Sequence, residues 1–437
     1  MAGRKGRKKK EKVSTKTIVI SIAIIILLFA IALAVFYVSN GNSFDGIFDG
    51  FIGSSENRAA SDSLKEESQD SIKEESGSES ESESQSQSSK EDNSEEFELI
   101  ETSKDLKITF MDIGQGDSIL IEFPDGKNML IDSGDKRNAS KAVFDRYLKD
   151  KDGNKLKLDY CVTTHPDSDH IGMMDYIYRE YDVGKSYRPY VYSTYKDSSV
   201  FNSTFNAGIN IKASSQTYYK YLQGVYDEGT YWEFFNDDSD FINSFTDLAG
   251  KELFYKVDFV MPYVSSNLEG FSNFKTPNDF SAIIMLEYAG KRVLFTGDIE
   301  NETGKNSAEN LFVNYYSKDS GAVDCDVLKV AHHGSDSSSS SQFLSVVKPE
   351  YSVISCGLSN RHHHPVKSTL DNLTTANSKI YRTDLQGTIT LRINAKGQMK
   401  FEIQTDKYDD MLLDDGDAVK KYETEHSDEI EKYKASL

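Results

Sequence analysis

The chain has 437 residues, with 71 acidic side chains against 50 basic ones and a formal net charge of −21. That is more chain than one ordinary compact domain needs, and the sign of the charge argues against a grip on nucleic acid by bulk electrostatics, leaving only a local basic patch. Three cysteines, Cys161, Cys325 and Cys356, are odd in number and show no CxxC spacing. They give no disulfide framework and are expected as small buried residues in short apolar strands.

In chain order, a basic tip (1–16) precedes the uncharged run "TIVISIAIIILLFAIALAVFYV" over 17–38. At about 1.5 Å per residue this run matches a hydrocarbon core of roughly 30 Å, and the positive-inside rule places the tip in the cytoplasm and all later residues outside. A cleaved signal peptide ending near "AIALA" is the alternative, but a signal core is usually shorter. Residues 39–98 become serine- and acid-rich, too polar to bury a core, and are expected as a disordered linker.

A strand-rich pattern with interspersed helices runs from 99 to 405. "LKITFMDIG", "DSILIEF" and "NMLIDSG" predict three short strands, "SKAVFDRYLKD" a helix, and "LDYCVTTH" a strand. "SAIIMLEYAG" with "KRVLFTGD" predicts a hairpin. "SSQFLSVVK" and "STLDNLTTA" predict helices, with the strand "YSVISCG" between them. An aromatic-rich insertion at about 176–277 has rings suited either to stacking on bases or sugars or to packing a small lobe. An acidic tail follows at 406–437. Strands that end in polar loops between helices point to a layered α/β fold with its site at the strand ends.

Seven of the eight histidines fall in three short clusters: His165 and His170 in "THPDSDH", His332 and His333 in "AHHGS", and His362, His363 and His364 in "RHHHP". Only His426 lies elsewhere. With Asp167, Asp169 and Asp298 (the end of "VLFTGD"), this concentration of imidazole and carboxylate suits zinc or manganese, in numbers sufficient for two ions.

These motifs, together with "MDIGQGDSILIEFPDGKNMLIDSG", "LKVAHHGSDSSSS" and "RTDLQGTI", resemble the metallo-β-lactamase fold, and more closely the exported hydrolase domain of ComEC-type competence proteins. The resemblance covers nearly all of 105–395 apart from the insertion. It implies a four-layer αββα sandwich and a dinuclear site. His165 and Asp167 would face one metal and Asp169 and His170 the other, with Asp298 bridging and His364 a late ligand. His332 and His333 would share the tasks of ligand and proton donor, and Asp132 would orient the loop histidines. Gly114 and Gly116 in "GQGD" would serve a tight turn or the site. The chain has Asp167 where many members of the broad fold have histidine, and Asn278 or Asp279 where another histidine stands. Both changes favour manganese or magnesium relative to zinc. Glycine usually precedes the His-Pro pair, so His362 and His363 are expected outside the ligand set.

The implied chemistry is metal-assisted hydrolysis with phosphodiesters preferred, and Arg361, Lys367 and Arg382 as candidate phosphate contacts. The expected function is that of a membrane-tethered, extracellular nuclease or phosphodiesterase, with the membrane as its partner through the N-terminal helix and DNA as substrate. The alternatives are an exported hydrolase of wall-polymer phosphodiesters or phosphorylcholine esters, and a non-catalytic binding module. The competence family's uptake channel needs many spans, and this chain has one candidate.

Overall fold

The computed structural model describes residues 97–436, apart from 102, 140, 196–200, 202–211, 237–238, 262–273, 275 and 302–306. The span expected at 17–38 lies outside the described residues; among the described residues, no helix is long and apolar enough to cross a membrane.

The first half of the fold runs β1 (Leu106–Phe110), β2 (Ile119–Glu122), β3 (Asn128–Ile131), α1 (Lys141–Tyr147), β4 (Leu158–Val162), α2 (Ser168–Ile171), α3 (Met174–Glu180) and β5 (Val183–Arg188). The middle adds a two-residue pair, β6 (Tyr192–Ser193) with β7 (Lys212–Ala213), then α4 (Gln216–Glu228), β8 (Tyr231–Phe234), β9 (Phe241–Thr246) and β10 (Glu252–Phe259). The second half continues with β11 (Ile284–Tyr288), β12 (Lys291–Phe295), α5 (Ala308–Tyr316), β13 (Val327–Lys329), α6 (Ser341–Val347) and β14 (Tyr351–Ile354). It closes with α7 (Lys367–Thr375), β15 (Lys379–Arg382), α8 (Thr383–Gln386), β16 (Ile389–Ile393), β17 (Met399–Ile403), α9 (Gly416–Glu425) and α10 (Ser427–Ser436).

Two sheets result. The eight-stranded sheet has the order β17-β16-β1-β2-β3-β4-β5-β8, and the seven-stranded one β15-β14-β13-β12-β11-β10-β9. Each changes character along its width. β1 to β3 form an antiparallel meander, whereas β3, β4, β5 and β8 are parallel neighbours. β11 and β12 make the expected hairpin, and β12 to β15 run parallel. The parallel strands are apolar along nearly their whole length because both of their faces are covered; Val293, Leu294 and Phe295 of β12 are all buried.

The sheets meet through rings: Phe110 of β1 lies 6.2 Å from Phe295 of β12, and Tyr187 of β5 lies 5.1 Å from Phe259 of β10. Beside the sheets, α3 packs against α4 and α5 against α6, with Phe312 against Phe343 at 5.4 Å. This is the αββα sandwich. Truncating an inter-sheet anchor such as Phe295 to alanine is expected to cost about 3–5 kcal/mol.

The aromatic stretch is built into this framework: β5 and β8 extend the first sheet, and β9 and β10 the second. Tyr187, Tyr218, Tyr221, Tyr255, Phe235 and Phe259 are fully buried, so core packing is what these rings do. The acidic end is folded as well. Tyr408, Met411, Val419 and Ile430 form a second small core with Leu385.

Candidate metal centre

Parallel strands deliver their carboxyl ends to one edge of the sandwich. There β3 hands over to Asp132, β4 to His165, β12 to Asp298 and β13 to His332 and His333. Local backbone bends turn these side chains inward. Asp132, His332 and His333 sit at positive φ (57°, 47° and 56°), a conformation that non-glycine residues adopt at an energetic cost and that tends to cluster at functional sites. Gly116 is required for a different reason. A Cβ there would meet the Asp169 carbonyl oxygen at 2.0 Å, because Asp117 N donates to that oxygen at 3.2 Å. The "GQGD" turn therefore packs directly on the "HPDSDH" loop.

Four imidazole Nε2 atoms converge on one carboxylate oxygen, Asp298 Oδ2: His170 at 3.1 Å, His333 at 3.2 Å, His165 at 3.8 Å and His332 at 3.9 Å. Asp167 lies 4.0 Å from His165 Nε2, and Asp169 lies 3.4 Å from His333 Nε2. His364 completes the wall, its ring 5.5 Å from that of His332. The cleft is a 480 Å³ cavity whose lining includes Asp167, Asp169, Asp298, His332, His333 and His364 together with Arg361 and His362.

Behind the four rings around Asp298, each Nδ1 lies beside a protein group, and this favours Nε2 as the nitrogen that faces inward. His170 Nδ1 donates to Asp132 Oδ2 at 2.8 Å, and Asp132 also accepts from Thr164 N (2.9 Å) and Thr164 Oγ1 (2.5 Å). His333 Nδ1 donates to the Ser355 carbonyl at 2.9 Å. His165 Nδ1 lies near Thr164 Oγ1 (3.1 Å) and Ser281 Oγ (3.3 Å). His332 Nδ1 lies near Glu300 Oε1 (3.3 Å) and Ser337 Oγ (3.2 Å).

Four atoms test whether this set fits divalent cations. His165 Nε2, Asp298 Oδ1, Asp117 Oδ1 and His364 Nδ1 are buried with no hydrogen-bond partner, an arrangement costly to leave without a ligand. Asp117, His170, Asp298 and His333 each offer one donor atom within 4.8 Å of the others. Imidazole nitrogens and carboxylate oxygens are the donors that zinc and manganese take, so the residues fit. Asp117 is better placed as a backing group than as a ligand. It faces His333 Nδ1 (3.5 Å) and His170 Nδ1 (3.9 Å), the sides already engaged, and its Oδ2 is held at 2.6 Å by the buried Lys329 ammonium.

The charges divide accordingly. Burial, then the charge of His170, pushes His165 down to about 3, and burial with His333 and His332 does the same to His364. Both are neutral and able to donate a lone pair. Burial opposes a proton on His170 and His333, but Asp298 and the other neighbouring carboxylates outweigh it and hold both imidazoles well above their usual range. Burial would raise Asp298, yet the charges of His170, His333 and His332 keep it well below the carboxylate range. Asp167 is pushed up to about 6 by burial and by Asp169.

The proposed phosphate contacts separate. Arg361 lines the cleft. Arg382 does not, and its expected role is corrected here. It is fully buried, its Nε and Nη2 donate to Asp384 at 3.0 and 2.7 Å, and its Nη1 reaches the carbonyls of Leu412 and Asp414. The register of β15 aims it into the packing of the C-terminal segment. Lys367 is likewise corrected: it lies outside the lining of the cleft and pairs with Asp371 one turn along α7. Of the neighbours in doubt, His363 turns to Asp417 (2.6 Å), Asn278 donates to Glu300 (3.1 Å), and Asp279 accepts from Ala308 N at the start of α5 (2.9 Å). Sequence reasoning gave no role to Asp117, Glu300 or Lys329. A lysine within the apolar strand "DVLKVA" was the one signal available for the last.

Comparison with known proteins adds a family likeness. The metallo-beta-lactamase superfamily model matches residues 111–242, the stretch holding the "HPDSDH" loop. ComE operon protein 3 of Bacillus subtilis is 26% identical over 307 residues, and competence protein ComA of Neisseria gonorrhoeae is 25% identical over 290. Each alignment covers 66% of this chain and 33% of the relative, so the chain spans about one third of the length of these curated relatives. Recombination protein 2 of Haemophilus influenzae is 34% identical over 130 residues, 30% of this chain and 15% of that protein. Among solved structures, the metallo-beta-lactamase fold protein YhfI from B. subtilis aligns at 12% identity over 66% of this chain and all of its own (TM-score 0.36). ST1585 from Sulfolobus tokodaii aligns at 14% over 52% and 79% (TM-score 0.27). Residues 111–242 thus match the metallo-beta-lactamase superfamily domain, and about two thirds of the whole sequence is similar to competence proteins.

Proposed function

We propose that the protein is a metal-dependent phosphodiesterase that cleaves DNA outside the cell, held to the membrane by residues 17–38. The observation that carries the hydrolase reading is the convergence of four Nε2 atoms on Asp298 Oδ2, with each Nδ1 beside a protein partner. His165, Asp167, Asp169, His170, Asp298, His333 and His364 would hold two divalent cations, zinc or manganese. Bound there, the cations would lower the pKa of a water molecule and offset the negative charge that develops on phosphorus.

The chain's own groups do the remaining work. Asp132 and Thr164 orient His170, and the Ser355 carbonyl orients His333. His332 is the residue placed to move a proton. It is the least buried of the four imidazoles around Asp298, with Glu300 Oε1 behind its Nδ1 at 3.3 Å and its Nε2 toward Asp298. His332 Nε2 would protonate the leaving oxygen, and Arg361 at the rim would bind a neighbouring phosphate. DNA as substrate draws its support from the competence and recombination relatives.

The test is cleavage of single- and double-stranded DNA by the full chain with added manganese or zinc, beside Asp169→Ala and His170→Ala. Metal-dependent cleavage lost in both variants is expected. Absence of cleavage under every metal, with bis-p-nitrophenyl phosphate still turned over, would move the substrate to another phosphodiester.

A further inference from the structure

A second cavity of 560 Å³ adjoins the metal cleft. The two share Gln115, Asp169, Arg361 and His362 in their walls, so a group held in one can be covalently continuous with a group held in the other. The metal cleft suits a phosphate; the chemistry of the second cavity does not. Asp112, Asp135 and Asp384 face it, and carboxylates repel a phosphate. Two of these are already paired, Asp135 with Arg137 and Asp384 with Arg382. Asp112 is different: its carboxylate accepts one hydrogen bond, from Gly114 N at 3.1 Å, and burial with Asp384 nearby pushes its pKa up to about 6. That group gains from a neutral N–H donor.

The complementary donor is Gln115. Its Oε1 accepts from Gly357 N at 3.3 Å, which fixes the amide plane, and its buried Nε2 has no partner. The wall thus offers an acceptor on Asp112, and just beneath it Gln115 holds a buried amide donor without a protein partner. Two planar groups lie at the boundary between the cavities, the Arg361 guanidinium and the His362 imidazole, where Arg361 Nε donates to His362 Nε2 at 2.9 Å. A flat polar ring with a donor and an acceptor on its edge fits all three features. A nucleobase is such a ring, and planar side chains of this kind are surfaces on which bases stack.

We infer that this cavity binds the nucleoside flanking the scissile phosphate, with Gln115 and Asp112 facing the base edge and Arg361 and His362 its face. The inference rests on the phosphodiesterase reading and narrows it, making the enzyme one that grips a nucleoside rather than the phosphate alone. Its volume accommodates one nucleoside with room for water, within the range of small-molecule sites.

Two measurements on the full chain separate this inference from the reading beneath it. The first is turnover with manganese of a dithymidine dinucleotide and of bis-p-nitrophenyl phosphate, in wild type and Gln115→Leu. The ratio of the two kcat/KM values is expected to fall about tenfold or more in the variant, since an unpaired amide donor would be replaced by a methyl group. A ratio unchanged within about twofold overturns the inference. The second is calorimetric binding of thymidine 5′-monophosphate, glucose 1-phosphate and inorganic phosphate. Thymidine 5′-monophosphate is expected to bind about tenfold tighter than the other two, with the advantage lost in Gln115→Leu. If that holds while neither ester is turned over, the phosphodiesterase reading fails and the pocket stands. Equal binding of all three ligands removes the pocket whatever the turnover.

Discussion

Replacing Lys329 by methionine tests the interior of the centre without touching any proposed ligand. Lys329 Nζ sits 2.6 Å from Asp117 Oδ2, and both side chains are buried. At that separation the attraction is about 6 kcal/mol for an effective dielectric of 20, partly cancelled by the cost of drying the ammonium. Burial would raise Asp117, but the Lys329 charge first, then His333 and His170, holds it below its usual range. Methionine fills nearly the same volume and leaves Asp117 ionised, buried and short of its strongest partner. A loss of about 3–5 kcal/mol is expected, the usual cost of breaking a buried pair from one side. Urea unfolding in the presence of chelator, followed by the fluorescence of the single tryptophan, Trp232, reads the loss. Adding Asp117→Asn removes the stranded charge, so the double variant is expected to recover about 2 kcal/mol or more relative to additivity. A loss below about 1 kcal/mol for Lys329→Met, or strict additivity in the double variant, would refute the argument.

Three further outcomes follow from the same structure. His170 and His333 hold protons above the usual imidazole range among the protein's own charges, so a cation must displace those protons. Metal affinity is therefore expected to rise with pH through and above neutrality, and calorimetry in buffers of different ionisation enthalpy should register proton release. Asp132→Asn keeps the shape but offers His170 a weaker acceptor, and metal affinity or activity is expected to fall about 10- to 100-fold in direct titration. Asp112 has a folded pKa of about 6 against an ordinary 3.8, so its ionised form opposes folding. The stability present below about pH 4 is lost as pH rises through 6. Asp112→Asn should then stabilise by about 1–3 kcal/mol at pH 8 and by almost nothing at pH 4; an equal gain at both pH values would count against this.

How much could be read beforehand depended on rarity. Histidine is scarce here, so three clusters at strand ends stood out, and the structure gathers residues of all three near Asp298. Carboxylates number 71, so Asp117 and Glu300 were invisible among them; only the approach of β13 to the "GQGD" turn, and of the loop after β12 to His332, gives them meaning. Lys367 and Arg382 were misjudged because closeness in sequence to His364 says nothing about the face on which a helix or strand presents a side chain. The rings of 176–277 were ambiguous for a related reason. An aromatic side chain suits a core and a ligand equally, and only its place in the sheet order decides. The acidic tail gave no packing signal in its composition, yet Gly416 lies against the His363 backbone so closely that a Cβ would lie 2.4 Å from its carbonyl.

The contributors to the centre come from opposite sheets. Asp132, His165 and His170 follow strands of the first, while Asp298, His332 and His333 follow strands of the second. Neither half of the chain carries a complete donor set, so tight cation binding and correct juxtaposition of the two sheets are one event. A ligand present at 1,000 times its dissociation constant adds about 4 kcal/mol to the assembled form alone. With cations bound, the centre would act as a rivet through the sandwich, and cation supply would set how long each molecule resists opening along that seam.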